Sequence, residues 1–334
     1  MLPINSNTKV YILCAPNFAT GGPEALHQLG HQLNKLGINT FMYYDDKNYK
    51  GDPVHPFYKH YNVPYVREIE NKKEHLLILP ETSLAPIFKR KFKKIRKAIW
   101  WLSVTNYYLM LEAHIKNAER KRTYPIRKLF NTIKFATMPV IKELQIPCIG
   151  HSHYSMVHLK SNGIDPLAQI SDYMNAAFFS RIDDSVKKEN IIIYNPIKNG
   201  EFLDKIINKT EELTWTPLVG LSPEEVSSYM NRAKLYVDFG YHPGKERMPR
   251  EACLMRCCMI IGKDGSAAYD EDMPIPMQYR FEKADKYIPE IVERIHNCIE
   301  NYDENIRNFS SYRAELYKEK DNFEKAVEAT FIKV

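Results

Sequence analysis

The chain has 334 residues, of which 44% are hydrophobic and 12% aromatic, enough for the cores of two ordinary domains and too apolar for a disordered polymer. No apolar run approaches the roughly 18–20 residues of a membrane-crossing helix, no cationic segment and apolar block open the chain as a secretion signal would, and none of the six cysteines forms a C-x-x-C pair suited to structural zinc. A cytoplasmic protein with buried thiols is expected.

The net charge of +6 is unevenly spread. Residues 1–150 hold 23 Lys and Arg against 11 Asp and Glu, and the remainder hold 24 against 30. The first half is therefore expected to face something anionic.

Thr8 to Cys14 reads as a buried strand, followed by a loop to Gly21-Gly22-Pro23-Glu24. Leu26, Leu29, Leu33 and Leu36 then recur at helical spacing up to Gly37, a C-terminal cap, and Ile38 to Tyr44 makes the next strand. This βαβ opening predicts a parallel sheet. Gly21 and Gly22 at a helix start either let an anionic ligand reach backbone N–H groups or simply make a tight turn; G-x-G-x-x-G is absent. Asn17 and Thr20 in the same loop are candidates for holding an acceptor. His27 and His31 have metal-ligand spacing without an H-E-x-x-H motif, so a helix-surface or packed pair is expected.

Leu76 to Leu79 and Ala98 to Val104 are further strand candidates. Between them Phe88 to Lys97 carries seven cations, with Phe88, Phe92, Ile95 and Ile99 on one helical stripe, and Lys116 to Lys134 carries seven more. Two basic amphipathic helices, 88–99 and 116–134, are expected either to lie on an anionic inner-membrane surface or to pack on the sheet with a solvated basic face. Nucleic acid is not expected, because no recognisable module accompanies the charge. Ile146 to Gly150 is another strand. It leads to His151 and His153, candidates for a catalytic base, and to a helix ending near Gly163. Periodicity weakens from Ile164 to about Lys188, where the domain joint is expected.

Ile191 to Tyr194 starts a second series of strands: Thr214 to Leu221, the strand from Lys234 and Cys258 to Ile261. Ser222-Pro223-Glu224-Glu225 caps one intervening helix, and residues 283–300 and 303–329 read as closing helices. This pattern predicts a second doubly wound domain. In Lys234–Gly262 an apolar strand meets a loop bearing Lys245, Arg247 and Arg250, then a short helix with Pro249 and Glu251 in its first turn. Cations and helix N–H groups beyond a parallel strand suit a diphosphate; a solvated charged loop is the bland alternative. Asp270-Glu271-Asp272 fits an Asp-x-Asp metal pattern but reads as a polar loop, so no metal is expected. The Gly265-Ser266 turn beside it could contact a ligand through its amides.

Glu251-Ala252-Cys253, with small residues and the buried run Cys257-Cys258-Met259-Ile260-Ile261 after it, resembles the donor-binding region of GT-B glycosyltransferases. The retaining family 4 and its capsule and lipopolysaccharide relatives are the most similar. That family carries a second Glu eight positions earlier, where this chain has Pro243; Glu246 is nearby but out of register and stays a weak catalytic candidate. The resemblance covers most of residues 185–275 and, more weakly, 8–45, where Gly21-Gly22 matches a family feature.

It implies an α/β protein of two Rossmann-like doubly wound domains facing a cleft. Residues 1–170 would form the acceptor side with a basic face, 171–188 a linker, 189–302 the nucleotide-sugar domain, and 303–334 a helix returning toward the first domain. It also implies transfer of a sugar from a nucleotide-diphosphate donor to a glycan or lipid-linked acceptor in bacterial surface-polysaccharide synthesis. Such transfer would be retaining and metal-independent, with no cofactor. Lys198 with Lys245 or Arg247 would hold the diphosphate and Glu251 the ribose; a helix-dipole role is the alternative for Glu251. Two other readings stay open: a sugar-nucleotide epimerase of GT-B-like fold, and a non-catalytic GT-B scaffold partnering an active transferase.

Overall fold

Apolar runs buried on both faces form the inner strands, and crossovers between parallel strands pack back on the sheet. The computed structural model describes residues 2, 4, 5, 7–46, 48–121 and 135–332. The chain divides into two compact units: one runs to Asp172 and takes in the chain from Asp321 onward, and the other is Tyr173–Lys320.

In the first unit β1 (Val10–Leu13) leads into α1 (Gly21–Lys35), whose apolar stripe buries Leu26, Leu29 and Leu33. Gly37, at φ +80°, ends that helix and donates its N–H to the Asn34 carbonyl at 3.0 Å. Then come β2 (Thr40–Tyr43), β3 (Tyr65–Val66), β4 (Leu76–Pro80), β5 (Arg96–Trp101), α2 (Val104–Glu119), β6 (Cys148–Gly150), α3 (His153–Ser161) and β7 (Ala168–Gln169). The strands pair in parallel in the order β3-β2-β1-β4-β5-β6-β7. Strand order reverses between β1 and β4.

The basic tract 88–99 is not a helix. Arg90–Phe92 is a single 3-10 turn, and from Arg96 the chain is already β5. The Ala-Ile-Trp-Trp run is apolar on both faces, so the interior of a parallel sheet claims it and leaves too few residues for a helix. Phe92, Ile95 and Ile99 are core residues. Four of the cations have partners within the protein: Lys89 and Lys91 pair with Asp45, Arg96 donates to the Glu74 carbonyl at 3.0 Å, and Lys97 donates to the Ile95 carbonyl at 3.1 Å. In the second tract, 116–119 close α2, and 122–134 lie outside the described residues.

The second unit contains β8 (Glu189–Tyr194), α4 (Pro196–Ile207), β9 (Thr214–Pro217), α5 (Pro223–Arg232), β10 (Ala233–Asp238), α6 (Arg247–Leu254), β11 (Cys258–Gly262), β12 (Arg280–Phe281) and α7 (Ile288–Glu300). Ser222 and Glu225 form a reciprocal capping box at the start of α5. The parallel order is β12-β11-β10-β8-β9, with its reversal between β8 and β10. The last helix, α8 (Glu319–Phe331), begins in this unit, and its residues from Asp321 belong to the other. All six cysteines are free and buried. Among the described residues no helix is long and apolar enough to cross a membrane.

Candidate functional site

A reversal of strand order leaves a crevice beyond the carboxyl ends of the two diverging strands. In the second unit those ends are Asn195–Lys198 after β8 and Phe239–Glu246 after β10. Asn195 caps α4, its side chain accepting from the Ile197 N–H at 3.0 Å, with Pro196 in the first turn. Asn199 then ties the two loops: its Oδ1 accepts from the Phe239 N–H, and its amide donates to the Asn195 carbonyl at 2.7 Å. Gly240 lets them touch, since a Cβ there would lie 2.7 Å from Lys198 Cβ and 3.1 Å from its carbonyl oxygen. Buried Asp238 fixes the turn, accepting from Tyr236 Oη at 2.7 Å and the Gly240 N–H at 2.8 Å.

The cations gather on this frame, each beside a carboxylate. Lys198 Nζ donates to Glu246 Oε2 at 2.5 Å and lies 5.2 Å from the centre of the Tyr241 ring. Lys245 Nζ meets Glu319 Oε1 at 2.7 Å. Arg247 Nη2 donates to Glu251 Oε1 at 3.3 Å, an i,i+4 pair at the start of α6. Four cations, Arg250 included, thus stand against three carboxylates.

Arg250 differs from expectation. Its side chain is fully buried, because its place on α6 shares the inward face with Pro249, Cys253 and Leu254. A buried guanidinium has to be paired. Nη1 donates to both oxygens of Glu319 at 3.2 and 3.1 Å, Nε to the Glu246 carbonyl at 3.1 Å, and Nη2 to the Lys245 carbonyl at 3.3 Å. It holds the cationic loop from inside instead of presenting a charge to a ligand.

The Gly265-Ser266 turn likewise braces that loop. The Ser266 N–H donates to the His242 carbonyl at 2.9 Å, and its hydroxyl donates to the Gly244 carbonyl at 2.5 Å, so the Ser266 amide is already engaged. His242 is buried, its Nε2 3.9 Å from Asp238 Oδ1. Asp238, Asn199, Gly240 and Glu319 were not singled out from the sequence. Glu319 in particular lies 69 residues from Arg250, and no local pattern joins them.

In the first unit Gly21 and Gly22 open α1, where Thr20 makes no side-chain cap. A Cβ on Gly22 would meet Leu102 Cδ1 at an ordinary 3.7 Å, so packing does not demand glycine there. Asn17 adopts φ +48°, and the Thr20 carbonyl accepts from Tyr58 Oη at 2.8 Å. At the end of β4, Glu81 is buried and its Oε2 accepts from the Leu102 N–H at 2.8 Å; burial pushes its carboxyl up to about 8. His151 is buried against Asp172, its Nε2 lying 3.1 Å from the Asp172 N–H and 3.2 Å from Oδ1. His153 starts α3 beside the Ser152–Ser155 capping box.

His27 and His31 each spend a ring nitrogen on a backbone carbonyl, of Pro23 and Tyr61, both at 2.7 Å. Burial moves the His27 pKa down. The pair is packed. Asp270 pairs with Arg280. Among the described residues no group of three or more His, Cys, Asp or Glu is arranged to hold a metal ion.

No family model and no curated protein matches the chain. Solved structures do. HepE of Anabaena, in complex with UDP-glucose, superposes with a TM-score of 0.62 at 11% identity, over 96% of this chain and 98% of that one. The lipopolysaccharide outer core galactosyltransferase WaaB, in apo form, gives 0.55 at 11% identity, over 95% and 99%. Sucrose-phosphate synthase of Thermosynechococcus elongatus gives 0.50 at 11% identity, over 97% and 95%. The chain has the GT-B fold, with two Rossmann-like domains.

Proposed function

We propose that the protein is a glycosyltransferase that takes a sugar from a nucleoside-diphosphate donor bound at the β8/β10 crevice. The observation carrying this reading is the junction at Gly240. There Lys198 from one strand end reaches Glu246, next in sequence to Lys245 from the other. As the glycosidic bond breaks, its electron pair passes to the diphosphate oxygen, and fixed cations there stabilise the growing charge more than the ground state. Lys198, Lys245 and Arg247 serve that role, and Glu251 accepts hydrogen bonds from the ribose hydroxyls. Cations already in place support a metal-independent reaction. The resemblance of Glu251-Ala252 and its following strand to family 4 supports a retaining outcome.

HepE was captured with UDP-glucose, which supports a uridine diphosphate sugar as donor. WaaB acts on the lipopolysaccharide outer core, which supports a glycan or lipid-linked acceptor in surface-polysaccharide synthesis. The test mixes the protein with UDP-glucose and other nucleotide sugars, with and without glycolipid acceptor extracts, and follows release of nucleoside diphosphate. Acceptor-dependent release that Lys198→Ala abolishes is expected. Absence of release and of nucleoside-diphosphate binding would overturn the reading, and a sugar-nucleotide product formed without acceptor would make the protein an epimerase.

A further inference from the structure

The carboxylates around these cations are not equivalent. Glu246 sits at the N-cap of α6 without capping it and keeps 21% of its side chain exposed against Lys198. Glu319 is 6% exposed, and both of its oxygens are held by Arg250, whose side chain is fully buried. Pulling Glu319 away would strand a buried guanidinium, a costly event, whereas Glu246 has an easy exit to water. An arriving anion can therefore displace Glu246, while Glu319 stays.

We propose that Glu319 is a positioning residue for the diphosphate site. Held by Arg250, it fixes the Lys245 ammonium beyond β10. This rests on the donor-site reading above and deepens it. One guanidinium does two jobs: through Nε and Nη2 it holds the backbone carbonyls of Glu246 and Lys245, and through Glu319 it aims the Lys245 side chain. Two cations share one carboxylate, so the triad keeps a positive charge for the ligand. Fixing a lysine in advance lowers the ordering cost of binding, since this long side chain otherwise loses rotamer freedom on contact.

The experiment is a double-mutant cycle read by titration calorimetry with inorganic pyrophosphate and with uridine diphosphate. Glu319→Gln is expected to weaken binding about tenfold in the natural background, on the scale of one charge-assisted hydrogen bond. It should change nothing once Lys245→Met has removed the group being positioned. Tighter or unchanged binding in Glu319→Gln overturns the proposal, as does an equal loss in the Lys245→Met background, which a merely structural role would give. Should Glu319→Gln fail to fold, Arg250→Met/Glu319→Met removes both buried charges together, a replacement folds often tolerate. It should again cost about tenfold, and unaltered affinity in that variant overturns the proposal. If the unaltered protein binds neither probe, the donor-site reading itself has failed, an outcome distinct from binding without coupling.

Discussion

Glu246 is the side chain whose removal should help binding. It pairs with Lys198 while keeping 21% of its side chain exposed, and an anion must replace it. Glu246→Gln is expected to tighten pyrophosphate binding about two- to fivefold, the scale of one partly exposed ion pair. Weaker binding in calorimetry would instead make Glu246 a ligand contact. Gly240 tests the frame. An alanine methyl would press on Lys198 Cβ at 2.7 Å with the Lys198 backbone behind it. Gly240→Ala should therefore cost about 1–3 kcal/mol by overpacking, read as a lower melting temperature, together with weaker pyrophosphate binding. A variant as stable as the parent would mean that the two loops part easily. Gly240 did not stand out in the sequence, since it matters through a neighbour 42 positions away; Glu246 stood out only as a weak catalytic candidate, and its pairing with Lys198, 48 positions away, left no local pattern.

Elements whose burial is uniform were readable, and those built by exchange between segments were not. The β1–α1–β2 opening and the β10–α6–β11 run announce themselves through continuous apolar strands, a leucine stripe and, after α1, the stop at Gly37. β12, two residues long, leaves no pattern. In the tract 88–99, apolar residues three or four apart imitate a helix although sheet burial decides the outcome. The cation-bearing loop was legible as a loop, but which cations turn inward depended on Glu319, far along the chain. At the end of β4 the element itself sets a pH response. Glu81 is raised from its ordinary 4.5 to about 8, burial outweighing the Leu102 N–H that favours the carboxylate. The folded protein then binds more protons than the unfolded chain between those values, so stability falls as pH rises through that window and levels above it. Glu81→Gln should flatten this part of the stability–pH curve in urea titrations. An unchanged slope would show that Glu81 is ionised when folded.

On the scale of the whole molecule, the covalent chain visits the first unit, crosses at Asp172–Tyr173, and leaves the second after Lys320. Glu319 stands at that departure, so the carboxylate assigned to aim Lys245 is also the first residue of α8. The cysteines give the molecule a built-in clock. Three lie in interiors where burial pushes their pKa far up, Cys14 and Cys253 to about 12 and Cys148 to about 11. Since only thiolate reacts, and only where reagent can enter, iodoacetamide at neutral pH should leave all six unmodified until the fold opens. Mass spectra should then show untouched and sixfold-alkylated species whose exchange rate tracks unfolding, with a plateau at partial alkylation if one unit opens before the other. Rapid alkylation of the native protein would contradict the burial. Timing that reaction with and without uridine diphosphate turns the protein's own sulfur chemistry into a label-free gauge of ligand grip.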